Sequence, residues 1–263
     1  MILKEKFKKE GDFLFRYRSY LPLAIIPMFL LCLWSFGQNL IYMQGFTISL
    51  MGVSPMFSGY NITLILLALF IGLLGQFVRI LVAGYVPRDT SGRNTKEQKA
   101  SVLNTTGMYS LCRNPLYLGN FLMMLSPIIL LGNWLFALVF ALGFWLYYER
   151  IIYAEEAFLT QKFGEEYLAW AKNTPAFLPN FKAYKKSELD FSMKSMLKRE
   201  YHSLFGLAVS LGFAYYMIAL YVFRSFKVPL EPILSVFFVL CAVIYVTMLI
   251  LVKKTKLFEV EGR

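Results

Sequence analysis

Long apolar segments separated by polar ones dominate this chain. A membrane-spanning helix needs about 20 mainly apolar residues. Segments of roughly that length or longer lie at residues 22–43, 60–86, 116–148, 204–223 and 232–252. The pattern predicts an all-α fold, a polytopic helical membrane protein.

The longest of these segments, residues 116–148, is interrupted by Gly132 and Asn133. At about 1.5 Å per residue it is too long for one upright span. We therefore predict two short helices joined by a tight turn. This helical hairpin brings the expected number of transmembrane helices to about six.

Composition and charge agree with this topology. Hydrophobic residues make up 58% of the 263 residues and charged residues only 16%, whereas soluble domains carry about 25% charged residues. A soluble globular enzyme and a disordered protein are excluded, and three cysteines cannot form a disulfide framework. With the N-terminus in the cytosol, 24 of the 27 lysines and arginines fall on the cytosolic side, as the positive-inside rule requires. Both termini are therefore predicted to be cytosolic.

The chain divides into three predicted regions. Residues 1–90 form an N-terminal amphipathic segment plus two spans, residues 91–182 a central core, and residues 183–263 a basic linker plus two spans. The first twenty residues are rich in lysine and are expected to form a helix on anionic inner-leaflet lipids. The net charge of +11 is first a topology signal, and no nucleic-acid partner is expected.

Two cytosolic stretches concentrate the polar residues that could carry chemistry. In the first, Pro115 suits the first turn of a helix, so Arg113 and Asn114 fall at its start. Free backbone N–H groups there favour an anion, and Gly107 allows close approach of the backbone. The alternative is a plain helix start at headgroup level.

The second stretch follows the hairpin. Glu149, Tyr153 and Glu156 have the spacing of one helix face, and Gly164 is expected to end that helix. The alternative is a solvated helix whose glutamates balance nearby lysines. Arg79 is the one charge well inside a span; it either snorkels to phosphates or lies at the mouth of a cytosol-facing cavity.

These stretches contain an ordered set of motifs between residues 105 and 180. The motifs are Gly107-Met108-Tyr109, Arg113-Asn114-Pro115-Leu116-Tyr117-Leu118-Gly119, Glu155-Glu156, Phe163-Gly164-Glu165-Glu166-Tyr167, and the pair Pro175 and Pro179. In order and spacing the set resembles the isoprenylcysteine carboxyl methyltransferase and phospholipid methyltransferase superfamily of integral-membrane methyltransferases.

The resemblance implies a methyltransferase that uses S-adenosylmethionine as its cofactor, bound at the cytosolic face. It implies catalytic roles for Arg113, Glu149 and Arg150. The implied cofactor-binding residues are Gly107, Tyr109, Arg113, Asn114, Pro115, Tyr117, Gly119, Glu155 and Glu156. The family often has His where this chain has Asn114, and an amide cannot act as a base near neutral pH. No metal site is expected, because His202 is the only histidine and has no cysteine nearby.

The expected methyl acceptor is a membrane lipid or a lipid-anchored group. An anionic acceptor, a carboxylate or a lipid phosphate, needs positioning cations and no base, whereas an amine headgroup must first lose a proton. The absence of a histidine at position 114 favours the anionic acceptor. Phospholipid amine N-methylation, a nicotinamide-dependent sterol-type reductase and a non-catalytic scaffold or transporter are the alternatives. Asn120 stands where the reductases commonly have Glu, and transport would call for more polar groups at mid-membrane.

Overall fold

The computed structural model describes residues 2–21, 23–35, 62–87, 100–228, 230–258 and 260. Regular structure in these ranges is helical, without a strand, which confirms the all-α class. The helices are α1 (Leu3–Tyr17), α2 (Leu23–Ser35), α3 (Ile62–Tyr85), α4 (Met108–Leu111), α5 (Pro115–Ile129), α6 (Trp134–Phe163), α7 (Glu165–Asn173), α8 (Met193–Phe223) and α9 (Pro232–Lys254).

Four of these helices, α3, α6, α8 and α9, are long and apolar enough to cross a membrane. The bent pair Leu3–Tyr20 and Leu23–Ser35 makes a fifth if it is one span, and α5 is a shorter apolar helix. A polytopic helical membrane protein is thereby confirmed. The predicted end of the first span at residue 43 lies outside the described residues.

The predicted hairpin is present, but its two arms differ in length. Gly132 adopts a positive φ of 65° at the turn, and the Asn133 side chain accepts a hydrogen bond from the Phe136 amide at 3.0 Å. The first arm, α5, has 15 residues, whereas α6 has 30 and continues to Phe163. No Gly or Pro interrupts the chain between Tyr148 and Gly164, so the helix continues into the polar stretch. Gly164, with φ 54°, ends it as predicted.

Small residues allow α3 and α5 to pack closely. A Cβ on Gly75 would lie 2.6 Å from the Gly119 carbonyl oxygen, and one on Gly119 would lie 2.6 Å from Cγ of Arg79. The Ser126 hydroxyl donates to the Ala68 carbonyl at 2.6 Å. Such small-residue contacts are typical of helix pairs in membranes. The motif glycine at position 119 is therefore a packing residue.

The first helix packs against α6 at the start of the polar stretch. A Cβ on Gly11 would lie 2.1 Å from the Arg150 carbonyl oxygen. Phe15 is buried, and the Tyr147 hydroxyl donates to the Leu14 carbonyl at 3.2 Å. The other side of α1 exposes apolar side chains such as Phe13. One face of this amphipathic helix is thus occupied by protein, and its contact with anionic lipid stays a prediction.

Candidate active site

Backbone hydrogen bonds join the first polar stretch to the segment that follows α7. The Arg113 amide donates to the Pro175 carbonyl at 2.9 Å, and the Gly107 amide donates to the Lys185 carbonyl at 2.9 Å. Gly107 has φ 60°, a conformation that glycine adopts at little cost. The segment 175–185 therefore lies along residues 107–113.

The Arg113 guanidinium connects three elements. Its Nε and Nη2 contact Oε1 of Glu156 on α6 at 2.9 and 2.7 Å. Its Nη1 donates to the carbonyls of Ala171 and Thr174, both at 2.7 Å. Four of its five N–H groups are thus directed at protein acceptors. This arginine holds α6, α7 and the following loop in register.

Asn114 also contacts the loop. Its Nδ2 donates to the Ala176 carbonyl at 3.0 Å, and it makes no side-chain cap for α5. Pro115 occupies the first turn of α5, as predicted, and is buried. The amide at position 114 therefore acts as a donor to the backbone, a role that does not require an ionisable ring.

Tyr117 and Glu155 form a second contact between α5 and α6. The Tyr117 hydroxyl donates to Oε2 of Glu155 at 2.8 Å. Arg18 lies 3.5 Å from both Oε1 of Glu155 and the Tyr117 hydroxyl. The Glu155 side chain is 24% exposed, which leaves its carboxylate accessible to a further cationic group. Arg18, which precedes the first predicted span, is a site residue that the sequence pattern did not single out.

Aromatic rings form one wall beside this carboxylate. The rings of Tyr117 and Tyr148 are 4.5 Å apart, and Tyr148 stacks on Phe144 at 4.2 Å. All three rings are buried. Tyr148 lies two helical turns before Glu155, so both occupy the same face of α6. Aromatic residues next to a carboxylate favour a cation such as a sulfonium.

Two titratable groups near Arg113 stay protonated at neutral pH. Burial raises the pKa of the Cys112 thiol to about 11, which excludes it as a nucleophile at neutral pH. Burial, followed by the nearby Glu156 carboxylate, raises the pKa of Tyr167 well above its ordinary value. The Tyr167 hydroxyl hydrogen-bonds to Glu156 and therefore acts as a donor that orients this carboxylate.

Arg150 lies on the side of α6 that faces α1. Nε of Arg150 is 3.1 Å from Oε2 of Glu10, and its Nη1 donates to the Leu146 carbonyl at 2.7 Å. The guanidinium lies over the Phe7 ring at 4.9 Å, and Glu149 approaches Nη1 at 3.7 Å. Arg113, Tyr117, Glu155 and Glu156 are thus brought together, whereas Arg150 interacts with the N-terminal helix and Glu149 approaches Arg150.

The donor set fits the cofactor that the motifs imply. S-adenosylmethionine carries a sulfonium and an amino group, and the site offers the half-buried Glu155 carboxylate beside the rings of Tyr117 and Tyr148. The buried indole N–H of Trp170, next to Tyr167, has no acceptor among the described residues. A bound ligand could satisfy this donor. Tyr109 is half-buried on α4, at the other end of the same stretch.

Comparisons with known proteins place the matched region across this site. Residues 66–166 match the family described as phospholipid methyltransferase. Protein-S-isoprenylcysteine O-methyltransferase of Schizosaccharomyces pombe is 36% identical over 85 residues, 32% of this chain and 36% of that protein. The human protein of the same name is 35% identical over 83 residues, 32% of this chain and 29% of its own length.

A relative with a different name matches a longer region. The cobalt-zinc-cadmium resistance protein CzcN of Cupriavidus metallidurans is 35% identical over 119 residues, 45% of this chain and 52% of that protein. The chain thus spans between about a third and a half of the length of these relatives. No solved structure matches. The comparisons confirm the resemblance that the motifs indicated: residues 66–166 are similar to the phospholipid methyltransferase family, and the matched relatives include isoprenylcysteine O-methyltransferases.

Proposed function

We propose that this protein is a membrane methyltransferase that moves a methyl group from S-adenosylmethionine to a lipid or lipid-anchored acceptor. The observation that carries the proposal is the convergence of separate motifs on one site. Arg113 reaches Glu156 across 43 residues, and Tyr117 reaches Glu155 across 38. Both pairs lie inside the matched region, residues 66–166.

Glu155 and Glu156 have different proposed roles. Glu156 is occupied by Arg113 and positions the loop that follows α7. Glu155 keeps an exposed edge beside Tyr117 and Tyr148 and binds the cationic part of the donor. When bound, S-adenosylmethionine supplies an electrophilic methyl group whose departure leaves a neutral thioether. Gly107, Tyr109, Asn114, Pro115 and Gly119 shape the pocket through backbone and packing contacts.

The proposed methyl acceptor is an anionic oxygen, a carboxylate or a lipid phosphate. Arg18 contacts both members of the Tyr117–Glu155 pair and is placed to attract such a group. An anionic oxygen held there would accept the methyl group that a bound S-adenosylmethionine supplies, and no proton would have to leave the acceptor first. Asn114 already donates to a carbonyl, so it is not placed to take a proton from an amine.

The membrane arrangement belongs to the same proposal. Both termini and the site face the cytosol, and residues 91–182 form the catalytic core with spans on either side. Arg150 and Glu149 keep catalytic roles in this proposal. Arg150 lies at the contact between α1 and α6, where the Glu10 carboxylate pairs with its guanidinium. The acceptor enters from the lipid phase.

Donor binding to three matched variants tests the proposal. Glu155→Gln should weaken the affinity for S-adenosylmethionine by about tenfold or more, since hydrogen bonds to charged groups contribute about 1.5–3 kcal/mol. Glu156→Gln should also weaken this affinity, because the loss of the Arg113–Glu156 ion pair releases the loop that follows α7. Glu166→Gln, on the exposed side of α7, is the control and should bind like wild type. Unchanged affinity in both site variants, or stabilisation by a nicotinamide cofactor instead, would contradict the proposal.

The acceptor is identified separately. Membranes are incubated with methyl-labelled donor, and the labelled product is tested for carboxyl methyl esters, which release methanol in base, for phosphate methyl esters, which resist base, and for methylated amines. An ester of a carboxylate or phosphate supports the anionic acceptor. Label in a stable amine headgroup would refute that part of the proposal and leave the methyltransferase activity standing.

A further inference from the structure

A polar cluster is buried where α3, α5 and α8 meet. Arg79 on α3 forms a two-pronged ion pair with Glu200 on α8, with Nε–Oε2 at 2.8 Å and Nη2–Oε1 at 3.0 Å. Glu200 is 5% exposed and also accepts from Gln76 at 3.3 Å and from the Ser203 hydroxyl at 2.6 Å. Arg79 is thus paired inside the helix bundle.

The same guanidinium fixes the orientation of a side chain next to the site. Nη1 of Arg79 donates to Oδ1 of Asn120 on α5. An arginine side chain has only donors, so the amide oxygen must face it and the amide NH2 must face the other way. On that other side the Asn120 side chain hydrogen-bonds to Tyr148.

The direction of this chain of hydrogen bonds determines where the Tyr148 proton points. A tyrosine hydroxyl has one donor and can accept as well. Because Asn120 presents its NH2, the Tyr148 oxygen accepts from it, and the hydroxyl hydrogen points away from Asn120. Tyr148 stands beside Tyr117 at 4.5 Å, and Tyr117 is bonded to Glu155.

We propose that Asn120, oriented by the Arg79–Glu200 pair, is a positioning residue that makes Tyr148 a hydrogen-bond donor to the oxygen of the methyl acceptor. The inference rests on the proposed function and extends it to a specific residue. It also gives the C-terminal helices a part in the reaction, because Glu200 on α8 holds the arginine that orients the amide.

Asn120→Asp separates this role from a structural one. The substituted carboxylate keeps the size of the side chain and pairs with Arg79, so the contact between α3 and α5 is retained. A carboxylate has only acceptors, however, and the Tyr148 hydroxyl must then donate to it. We expect turnover at saturating donor and acceptor to fall at least tenfold. The melting temperature should stay at or above the wild-type value, and donor affinity should change by less than threefold.

Tyr148→Phe provides the second arm of the experiment. It should lower turnover by a similar factor, and the double variant should be less than threefold worse than either single variant, since both changes remove the same hydrogen bond. Ser210→Ala on α8 is the matched control. Its hydroxyl donates to the Leu207 carbonyl of its own helix at 2.9 Å, and the variant should turn over like wild type.

The outcomes distinguish the two proposals. Near wild-type turnover in Asn120→Asp or in Tyr148→Phe overturns the inference, and so does a double variant in which the two losses of turnover multiply. Neither result affects the methyltransferase assignment. A large drop in the melting temperature of Asn120→Asp would show that the residue acts in packing and would also overturn the inference. A wild-type protein that neither binds S-adenosylmethionine nor transfers methyl groups overturns the proposed function and this inference with it.

Discussion

Replacing Arg113 by Lys tests the contact that holds the site together. The guanidinium contacts Glu156 through two nitrogens and the Ala171 and Thr174 carbonyls through the third. A lysine ammonium keeps the charge but is a single point with three donors on a flexible stem. The ammonium can hydrogen-bond either to the Glu156 carboxylate or to the two carbonyls, but it cannot reach both sets of acceptors at once.

The magnitude follows from the contacts that are lost. If the ammonium remains with Glu156, the two carbonyls each lose a charge-assisted hydrogen bond, and such bonds contribute about 1.5–3 kcal/mol. Thr174 is buried, so water replaces the lost donor poorly there. The Arg113 side chain is 18% exposed, which reduces the total through solvent screening. We expect the free energy of unfolding to fall by about 2 kcal/mol, or about 4–8 °C in melting temperature for a domain of this size.

Two measurements on detergent-solubilised protein check this value. Thermal melting gives the overall loss, and amide hydrogen exchange should show faster opening of residues 174–180 than of the spans. Arg224→Lys is the control, because Arg224 is exposed at the end of α8, and its melting should stay within about 0.5 kcal/mol of wild type. The reasoning is refuted if Arg113→Lys melts like this control and the loop exchanges at the wild-type rate.

Three further predictions concern packing, topology and the N-terminal contact. Gly119→Ala should cost about 1–3 kcal/mol by forcing α3 and α5 apart, whereas Gly143→Ala, with no atom within 4 Å of the new Cβ, should be neutral; equal melting temperatures would contradict the close approach. Cysteines substituted for Lys186 and Lys227 should be labelled from opposite sides of the membrane. The three native cysteines are buried and should give little background. Labelling of both positions from one side would refute the topology. Arg150→Lys should keep donor binding but lose much of the methyl transfer, because lysine cannot keep the geometry of the guanidinium; normal transfer in Arg150→Lys and Arg150→Ala would remove this residue from the mechanism.

Helix positions were predictable from the sequence wherever apolar length determines them. The spans at α3 and α9 begin and end within a few residues of the apolar segments. The predictions were less complete where a helix leaves the apolar segment. The helix α8 begins at Met193, eleven residues before the predicted span, because hydropathy measures a lipid-facing length and not the hydrogen-bonded length of a helix. For the same reason, α6 continues to Phe163, beyond the end of the apolar segment at residue 148.

The candidate site was predictable only in part, for a different reason. Motif spacing identified Arg113, Tyr117, Glu155 and Glu156, which the structure brings together. It did not identify Arg18, whose partner Glu155 lies on another helix far along the chain. An arginine near a membrane interface looks the same in the sequence whether its side chain faces lipid phosphates or, as Arg18 does, a half-buried carboxylate. Only the tertiary arrangement distinguishes the two.

The buried pair at Arg79 shows that the region matched by the family extends over only part of the folding unit. Arg79 lies within the region that matches the phospholipid methyltransferase family, residues 66–166, while its partner Glu200 lies beyond it. A buried charge that loses its partner costs about 3–5 kcal/mol, so α8 cannot be removed without destabilising α3 or forcing Arg79 to find another acceptor. Asn120 already accepts from another nitrogen of the same guanidinium and, as a neutral amide, does not replace the Glu200 charge. The C-terminal helices therefore belong to the same folding unit as the site, whatever further substrate contacts they make.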